Sequence, residues 1–355
     1  MKKISILLAA ICLTLTACGA TKDNSGSHII GFYNVENLFD TLDDEGKDDA
    51  QFLPDGSYAW TQEKYEVKLG NIARVINEMA EKNGRYHAVL GLAEVENAHV
   101  LKDLVSRKEL SKAKYKFVHY ESPDVRGIDV AFLYRPSEFK LLESKAIPYD
   151  FNSSIRFEKT KQEQAEFTTR DVLMIRGTID GEMFAFFVGH LPSRIGDKGA
   201  DMRARGAEII YNAAMDLQKK YPGIKIAVMG DMNDNPEDES MTRYLHGRET
   251  LSSVGSNDFF DPFLRMHKDG FGTEEYHGEW NIFDIIMVNS ALADQNSAGL
   301  KIQKSDDTHY GYVFNPPFLV QQEGQYKGTP FRTFSGGRFI KGYSDHYPTY
   351  IKISK

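Results

Sequence analysis

The chain has 355 residues, 41% hydrophobic, 12% aromatic and 26% charged, which excludes a disordered or fibrous protein and leaves ample material for a sizeable core. Its formal net charge of −8 argues against broad electrostatic attraction to a nucleic-acid backbone, although a locally positive cleft is compatible with it. Only Cys12 and Cys18 occur, too few for a disulfide scaffold or a thiolate zinc site.

Lys2 and Lys3 open the chain, and Ile4 to Leu15 form an apolar core of secretory-signal length, too short to span a bilayer. Leu15-Thr16-Ala17-Cys18 resembles the lipobox of bacterial lipoproteins. That resemblance implies a signal peptide over 1–17, cleavage before Cys18 and lipid on its sulfur. An ordinary secretion signal is the alternative. Residues 18–27, polar and containing Gly and Ser, read as a tether. Gly19 stands where lipoproteins kept in the inner membrane carry Asp, which implies the outer membrane of the cell envelope, periplasmic or surface-exposed. The membrane is expected to be a partner through the lipid anchor only. Residues 28–355 contain no long linker and no repeat, and read as one monomeric domain.

Along that domain, strand-like runs fall at 29–35, 87–93, 115–119, 128–134, 171–179, 183–189, 224–230, 282–288 and 347–353. Val67, Ile72, Val75, Ile76 and Met79 repeat at helical spacing within 63–82, and Ile209, Ile210, Ala213 and Leu217 do so within 202–219. Asp43 to Asp49 reads as a solvated acidic loop. Helices among many strands, some alternating and some continuously apolar, point to an α+β domain of two packed sheets covered by helices.

Six apolar segments run into an acid, amide or histidine: at Asn34 and Glu36, at Glu94, at His190, at Asp231 and Asn233, at Asp284, and at Asp345-His346. Strands are rigid, so groups at their ends hold fixed mutual positions. Asp231 and Asn233 are two apart, as are Asn34 and Glu36, and Glu94 and Glu96; on extended backbone such pairs share a face. Singly, each is explained by a turn or a solvated carboxylate. Together they make an oxygen-rich set with two imidazoles and no thiol, suited to a hard cation and a phosphate. Imidazolium can neutralise charge developing on a phosphate and donate a proton. Arg126, Arg170, Arg194 and Arg203 are further candidates for phosphate contact, with surface ion pairing as the alternative.

Taken in order and ending in Ser344-Asp345-His346-x-Pro348, these segments resemble the endonuclease/exonuclease/phosphatase superfamily over about Ile29 to Ile353. The resemblance implies a four-layer α/β/β/α sandwich, two packed mixed β-sheets flanked by helices. It implies Mg²⁺- or Mn²⁺-dependent hydrolysis of a phosphate ester. By position, Glu94 corresponds to the principal metal ligand, with Asn34, Glu36 and Asp345 on the metal side. Asp231 would orient or deprotonate the attacking water, with Asn233 on the phosphate. His346, paired with Asp284, would stabilise or protonate the phosphate, and His190 is similar to a second histidine of deoxyribonuclease-like and sphingomyelinase-like members. The leading expectation is an extracytoplasmic nuclease acting on DNA or RNA. The alternatives are a phosphoesterase acting on phospholipid or sugar phosphate, and a non-catalytic envelope binding lipoprotein.

Overall fold

The computed structural model describes residues 26–194 and 199–355. The expected signal peptide, Cys18 and residues 18–25 of the tether lie outside the described residues. Strand β1 (Ser27–Leu38) leads through helix α1 (Gln62–Asn83) to β2 (Val89–Val95), then to helix α2 (Ala98–Ser106), β3 (Lys116–His119) and β4 (Asp129–Tyr134). Next come β5 (Phe139–Ile147), helix α3 (Lys161–Glu166), β6 (Val172–Ile179), β7 (Glu182–His190), helix α4 (Ala200–Lys220) and β8 (Lys225–Asp231). After β9 (Gly247–Arg248), β10 (Phe259–Phe260) and helix α5 (Pro262–Lys268), strands β11 (Glu274–Tyr276) and β12 (Glu279–Asn281) form a separate hairpin. The chain closes with β13 (Asp284–Asn289), helix α6 (Ser290–Ala293), β14 (Lys301–Ile302), β15 (Gly311–Val313), a small hairpin of β16 (Phe334–Ser335) and β17 (Arg338–Phe339), and β18 (Thr349–Ser354).

Two seven-stranded mixed sheets result. One has the order β14-β18-β1-β2-β4-β3, with β15 also on β18, and the other β5-β6-β7-β8-β13-β10-β9. They pack face to face over Phe32, Val130, Phe132, Phe139, Phe186 and Met229, with the Phe132 and Phe186 ring centres 5.3 Å apart. The approach is close: a Cβ on Gly91 of β2 would come within 2.7 Å of the Met229 sulfur of β8. Outside the first sheet, Leu69, Ile72, Ile76 and Leu101 of α1 and α2 pack on Tyr33, Leu90 and Leu92. Ala207, Ile210 and Ala214 of α4 cover the second sheet. Each fully buried Leu or Ile contributes roughly 1.5–3 kcal/mol of transfer free energy. The fold is the expected α/β/β/α sandwich.

The short elements and the edge strand lay beyond sequence reading, and two of them show why. Edge strand β5 keeps exposed Lys140 and Lys145 among its apolar residues, which hides its pattern and blunts the sheet edge against further pairing. Helix α2 has only nine residues and begins where Asn97 Oδ1 accepts the His99 and Val100 N–H groups, an N-cap. No helix among the described residues is long and apolar enough to cross a membrane.

Candidate active site

Strand direction explains why distant residues meet. β1 and β2 are parallel, with Asn34 paired to Ala93, and β7 and β8 are parallel, with His190 paired to Asp231. Parallel strands end at the same edge, so Asn34, Glu94, His190 and Asp231 arrive together. β13 and β18 run the other way and start at this edge. Asp284 therefore opens β13 opposite Asp231 rather than closing the preceding apolar run, as had been expected. His346 lies three residues before β18. A Cβ on Gly230 would fall 2.1 Å from the Gly189 carbonyl, so the approach to Asp231 requires glycine there.

The backbone at these ends is bent out of regular pairing. The β1–β2 register shifts between Asn34 and Leu38, and the β2–β4 register between Ala93 and Val95. Glu36, Asn37, Glu94 and Asn233 have φ of 49°, 50°, 64° and 50°, the left-handed region that costs non-glycine residues roughly 1–3 kcal/mol each. Such bulges re-aim side chains.

The side chains converge on Asp231. His346 Nδ1 lies 2.7 Å from Asp284 Oδ2, and its Nε2 lies 3.8 Å from Asp231 Oδ2. Asn34 Nδ2 donates to Asp231 Oδ2 at 2.9 Å and to Glu94 Oε1 at 3.4 Å. The Asn233 N–H donates to Asp231 Oδ1 at 3.0 Å. His190 Nε2 stands 3.6 Å from Asp231 Oδ2 and 3.9 Å from Glu94 Oε1. Asp345 Oδ1 is 3.9 Å from His346 Nε2, with a side chain 31% exposed. The Ser344 hydroxyl donates to the Asn34 carbonyl and accepts the His346 N–H, binding the two ends of the site together.

Electrostatics divide the two histidines. Burial opposes charge on His346, but Asp284, Asp231 and Asp345 outweigh it and raise its pKa well above the ordinary value, so it is an imidazolium. Burial, with Arg170, Arg126 and His346 nearby, holds His190 well below its ordinary value and neutral. Burial raises Asp231, with His346 opposing and Asp284 reinforcing, and burial with Asp345 raises Glu94. These carboxylates have less positive charge around them than their burial calls for.

A hard divalent cation fits that deficit. The donors are oxygens, no thiol occurs among the described residues, and the buried Asp284 Oδ1 has no hydrogen-bond partner. Asp231, Asp284 and His346 each bring a ligating atom within 4.8 Å of the others. A protonated imidazole cannot ligate, so that triplet is better suited to proton handling. Glu94 and Asp345, whose side chains are 15% and 31% exposed, are carboxylates that could hold the cation.

Several expected contacts are placed differently. Glu36, expected on the metal side, turns inward: its Oε2 accepts the Thr333 N–H at 2.7 Å and lies 3.8 Å from Lys68 Nζ. Asn34 presents its NH₂ to the carboxylates, while its oxygen accepts the Glu36 N–H. Three of the four arginines serve the protein itself. Arg170 donates to Asp124 and to the carbonyls of His190 and Leu191, and Arg194 to Asp234 and the Asn233 carbonyl. Arg203 pairs with Asp234 at 2.7 Å. Arg126, 44% exposed, lies 3.6 Å from Asp124 Oδ1 and bears electrostatically on Glu94 and His190. Asn233 points its amide NH₂ at the Leu191 carbonyl.

Sequence reasoning missed Lys68 and Glu274. Lys68 is fully buried and donates to Thr333 Oγ1 and the Tyr343 carbonyl. Its signal was available: it stands on the apolar face of α1, one turn before Ile72. Glu274, on the separate hairpin, is pushed up to about 7 by burial, with His346 opposing and Asp345 and Asp231 reinforcing. Nothing in its local sequence marks it.

Residues 29–355 match the model of the endonuclease/exonuclease/phosphatase family. No curated protein matches the sequence. Solved structures share the fold at low identity. TDP2 of D. rerio, complexed with a single-strand DNA product, is 16% identical at a TM-score of 0.53, over 93% of this chain and 99% of that one. A family protein from Bacteroides thetaiotaomicron is 14% identical at 0.53, over 92% and 94%. A mannosyl-6-phosphatase of the same bacterium is 16% identical at 0.54, over 92% and 100%.

Proposed function

The chain belongs to the endonuclease/exonuclease/phosphatase family, hydrolases of phosphate esters that depend on a divalent metal, and on that basis we propose that it hydrolyses phosphoester bonds outside the cytoplasm, tethered to the cell envelope by lipid on Cys18. The observation that carries the catalytic part is the buried chain Asp284–His346–Asp231. Asp231 has one oxygen held by Asn34 and the other by the Asn233 N–H, and takes a proton from the attacking water. His346, kept charged by Asp284, stabilises the phosphate oxygens and supplies the leaving group with a proton. Asp284 fixes the imidazole orientation, and neutral His190 completes the wall beside Glu94. A divalent cation at Glu94 and Asp345 would offset charge on the non-bridging oxygens.

Mg²⁺ or Mn²⁺ is the cation this oxygen set favours. For substrate, two readings remain. DNA or RNA is favoured by export and by the pair of histidines. A smaller phosphate ester is favoured by the net charge of −8 and by the three arginines already spent on protein acceptors.

Hydrolysis of p-nitrophenyl phosphate and bis-p-nitrophenyl phosphate, with Mg²⁺ or Mn²⁺, tests the reaction class. Activity is expected to vanish in excess EDTA and return with added metal. Full activity in EDTA would sink the metal-dependent mechanism.

A further inference from the structure

We infer that the β11–β12 hairpin is the specificity element of the cleft, and that it receives the uncharged, hydroxyl-bearing part of a phosphorylated sugar or polyol against Glu274, Tyr276 and Asn281. The inference rests on the phosphoesterase reading and names the substrate class for it.

The hairpin is built into the site. Thr273, fully buried at its base, donates its N–H to the Asn281 carbonyl at 2.7 Å, and its own carbonyl accepts the Tyr347 N–H at 2.8 Å. Its hydroxyl accepts the N–H groups of Phe283 at 3.2 Å and Asp284 at 3.4 Å. One residue thus pins the hairpin beside both His346 and Asp284. The outer face is fixed as well: the Trp280 ring stacks 6.0 Å from Tyr347, and a Cβ on Gly272 would meet it at 2.4 Å.

Register gives the other face its chemistry. Glu274 pairs with Asn281 and Tyr276 with Glu279, so these four share one side, opposite Glu275 and Trp280. Glu274 follows directly on Thr273, whose bonds to the Asp284 and Tyr347 N–H groups set this side beside the reacting centre. Tyr276, 63% exposed, stands further out. Asn281 Oδ1 is held by Asn235 Nδ2 at 3.0 Å, which orients its NH₂, and that NH₂ makes only long bonds to Glu274 at 3.4 Å and the Glu279 carbonyl at 3.5 Å, weak enough to yield to a ligand oxygen.

Charge decides what fits. The segment 274–281 carries Glu274, Glu275 and Glu279 and no lysine or arginine. A nucleic-acid strand crossing it would set phosphates against carboxylates, with no cation to pair them. A sugar brings no charge there. Carboxylate and amide are acceptors and donors for its hydroxyls, and an exposed aromatic ring covers its C–H face.

The test compares kcat/KM, with Mg²⁺, for glucose 6-phosphate, mannose 6-phosphate, p-nitrophenyl phosphate and a single-stranded DNA oligonucleotide. At least one hexose phosphate is expected to be turned over, and the DNA not. The ratio of kcat/KM for that hexose phosphate to p-nitrophenyl phosphate is expected to fall about 10- to 100-fold in Glu274→Ala, the loss of a charge-assisted hydrogen bond. It should fall less in Tyr276→Ala, an exposed position that leaves folding intact. Cleaved DNA with both hexose phosphates untouched, or a ratio unchanged in both variants, overturns the inference while leaving the phosphoesterase reading in place. No turnover of any ester, p-nitrophenyl phosphate included, overturns both.

Discussion

Asn34 stands between two carboxylate–cation pairs with opposite fates. On one side His346 sits 2.7 Å from Asp284 and reaches on to Asp231. On the other, Lys68 sits 3.8 Å from Glu36 and ends in protein, at Thr333 and the Tyr343 carbonyl. Burial governs the Glu36–Lys68 pair. It pushes Glu36 up to about 7 and lowers Lys68, although Glu36, Asp345 and Glu94 oppose that. The Asp284–His346 pair ends in a third group that faces the cleft, whereas every partner of Glu36–Lys68 is internal. A buried ion pair does chemistry only where it is left one step short of satisfaction. Where it is complete, it joins elements, here α1, the end of β1 and the loop that carries His346.

The largest effect that separates the two is on rate. Asp231→Asn should lower kcat about 10²- to 10⁴-fold with little change in unfolding midpoint, measured by ester hydrolysis beside urea denaturation, and His346→Ala should lower kcat by a similar factor. Near-native kcat in either variant would remove the assigned roles. Lys68→Ala should do the reverse, costing about 3–5 kcal/mol in urea unfolding because Glu36 is left buried without its cation. Pairing Lys68→Met with Glu36→Gln should recover much of that loss, and no recovery would show that the two do not act as a pair.

A subtler difference lies in pH. Burial opposes charge on His346, but the Asp284 carboxylate outweighs it and raises the pKa, so the limb of kcat that reports loss of the imidazolium proton should lie at alkaline pH. Asp284→Asn removes attraction for the charged form and must lower that pKa, moving the alkaline limb toward neutrality in a kcat–pH profile. A limb that stays put would mean His346 is not the acid. The same sign holds for folding: with its folded pKa raised, His346 contributes stability that is complete below the unfolded value of 6.5 and is lost as pH rises through the folded value. The smallest expected effect is that of Arg126→Ala, about a three- to tenfold rise in KM that shrinks with added salt, because that guanidinium is half-exposed and screened.

How much was legible follows from the range of each signal. The long apolar strands and both long helices were readable because their periodicity is local: 63–82 became α1 and 202–219 lies within α4. Strand β5 was not, since an edge strand mixes charge into its pattern. At the site, Asp231, Asp284, His346, Glu94, Asn34 and His190 do converge, and the acid-bearing ends of apolar runs had marked them. Glu36 was misread, and Arg170, Arg194 and Arg203 took the ion-pairing alternative, for one reason: composition shows that a charge exists, not which partner consumes it. Lys68 satisfies Glu36, and Asp124 and Asp234 satisfy Arg170, Arg194 and Arg203.

Residue type and strand-end position thus point from the chain alone to an oxygen-rich, two-histidine centre, because burying a run of apolar side chains in the sheet leaves the next polar residue at the strand's end. Which of those residues touch is a matter of contacts across 62 positions for Asp284 and His346 and 197 for Asn34 and Asp231. Strand order, strand direction and the bulges at Glu36 and Glu94 set those contacts, and so does the placement of Glu274 by a hairpin anchored at Thr273. No local pattern encodes them, since a side chain's direction at a strand end depends on the neighbouring strand against which it is registered.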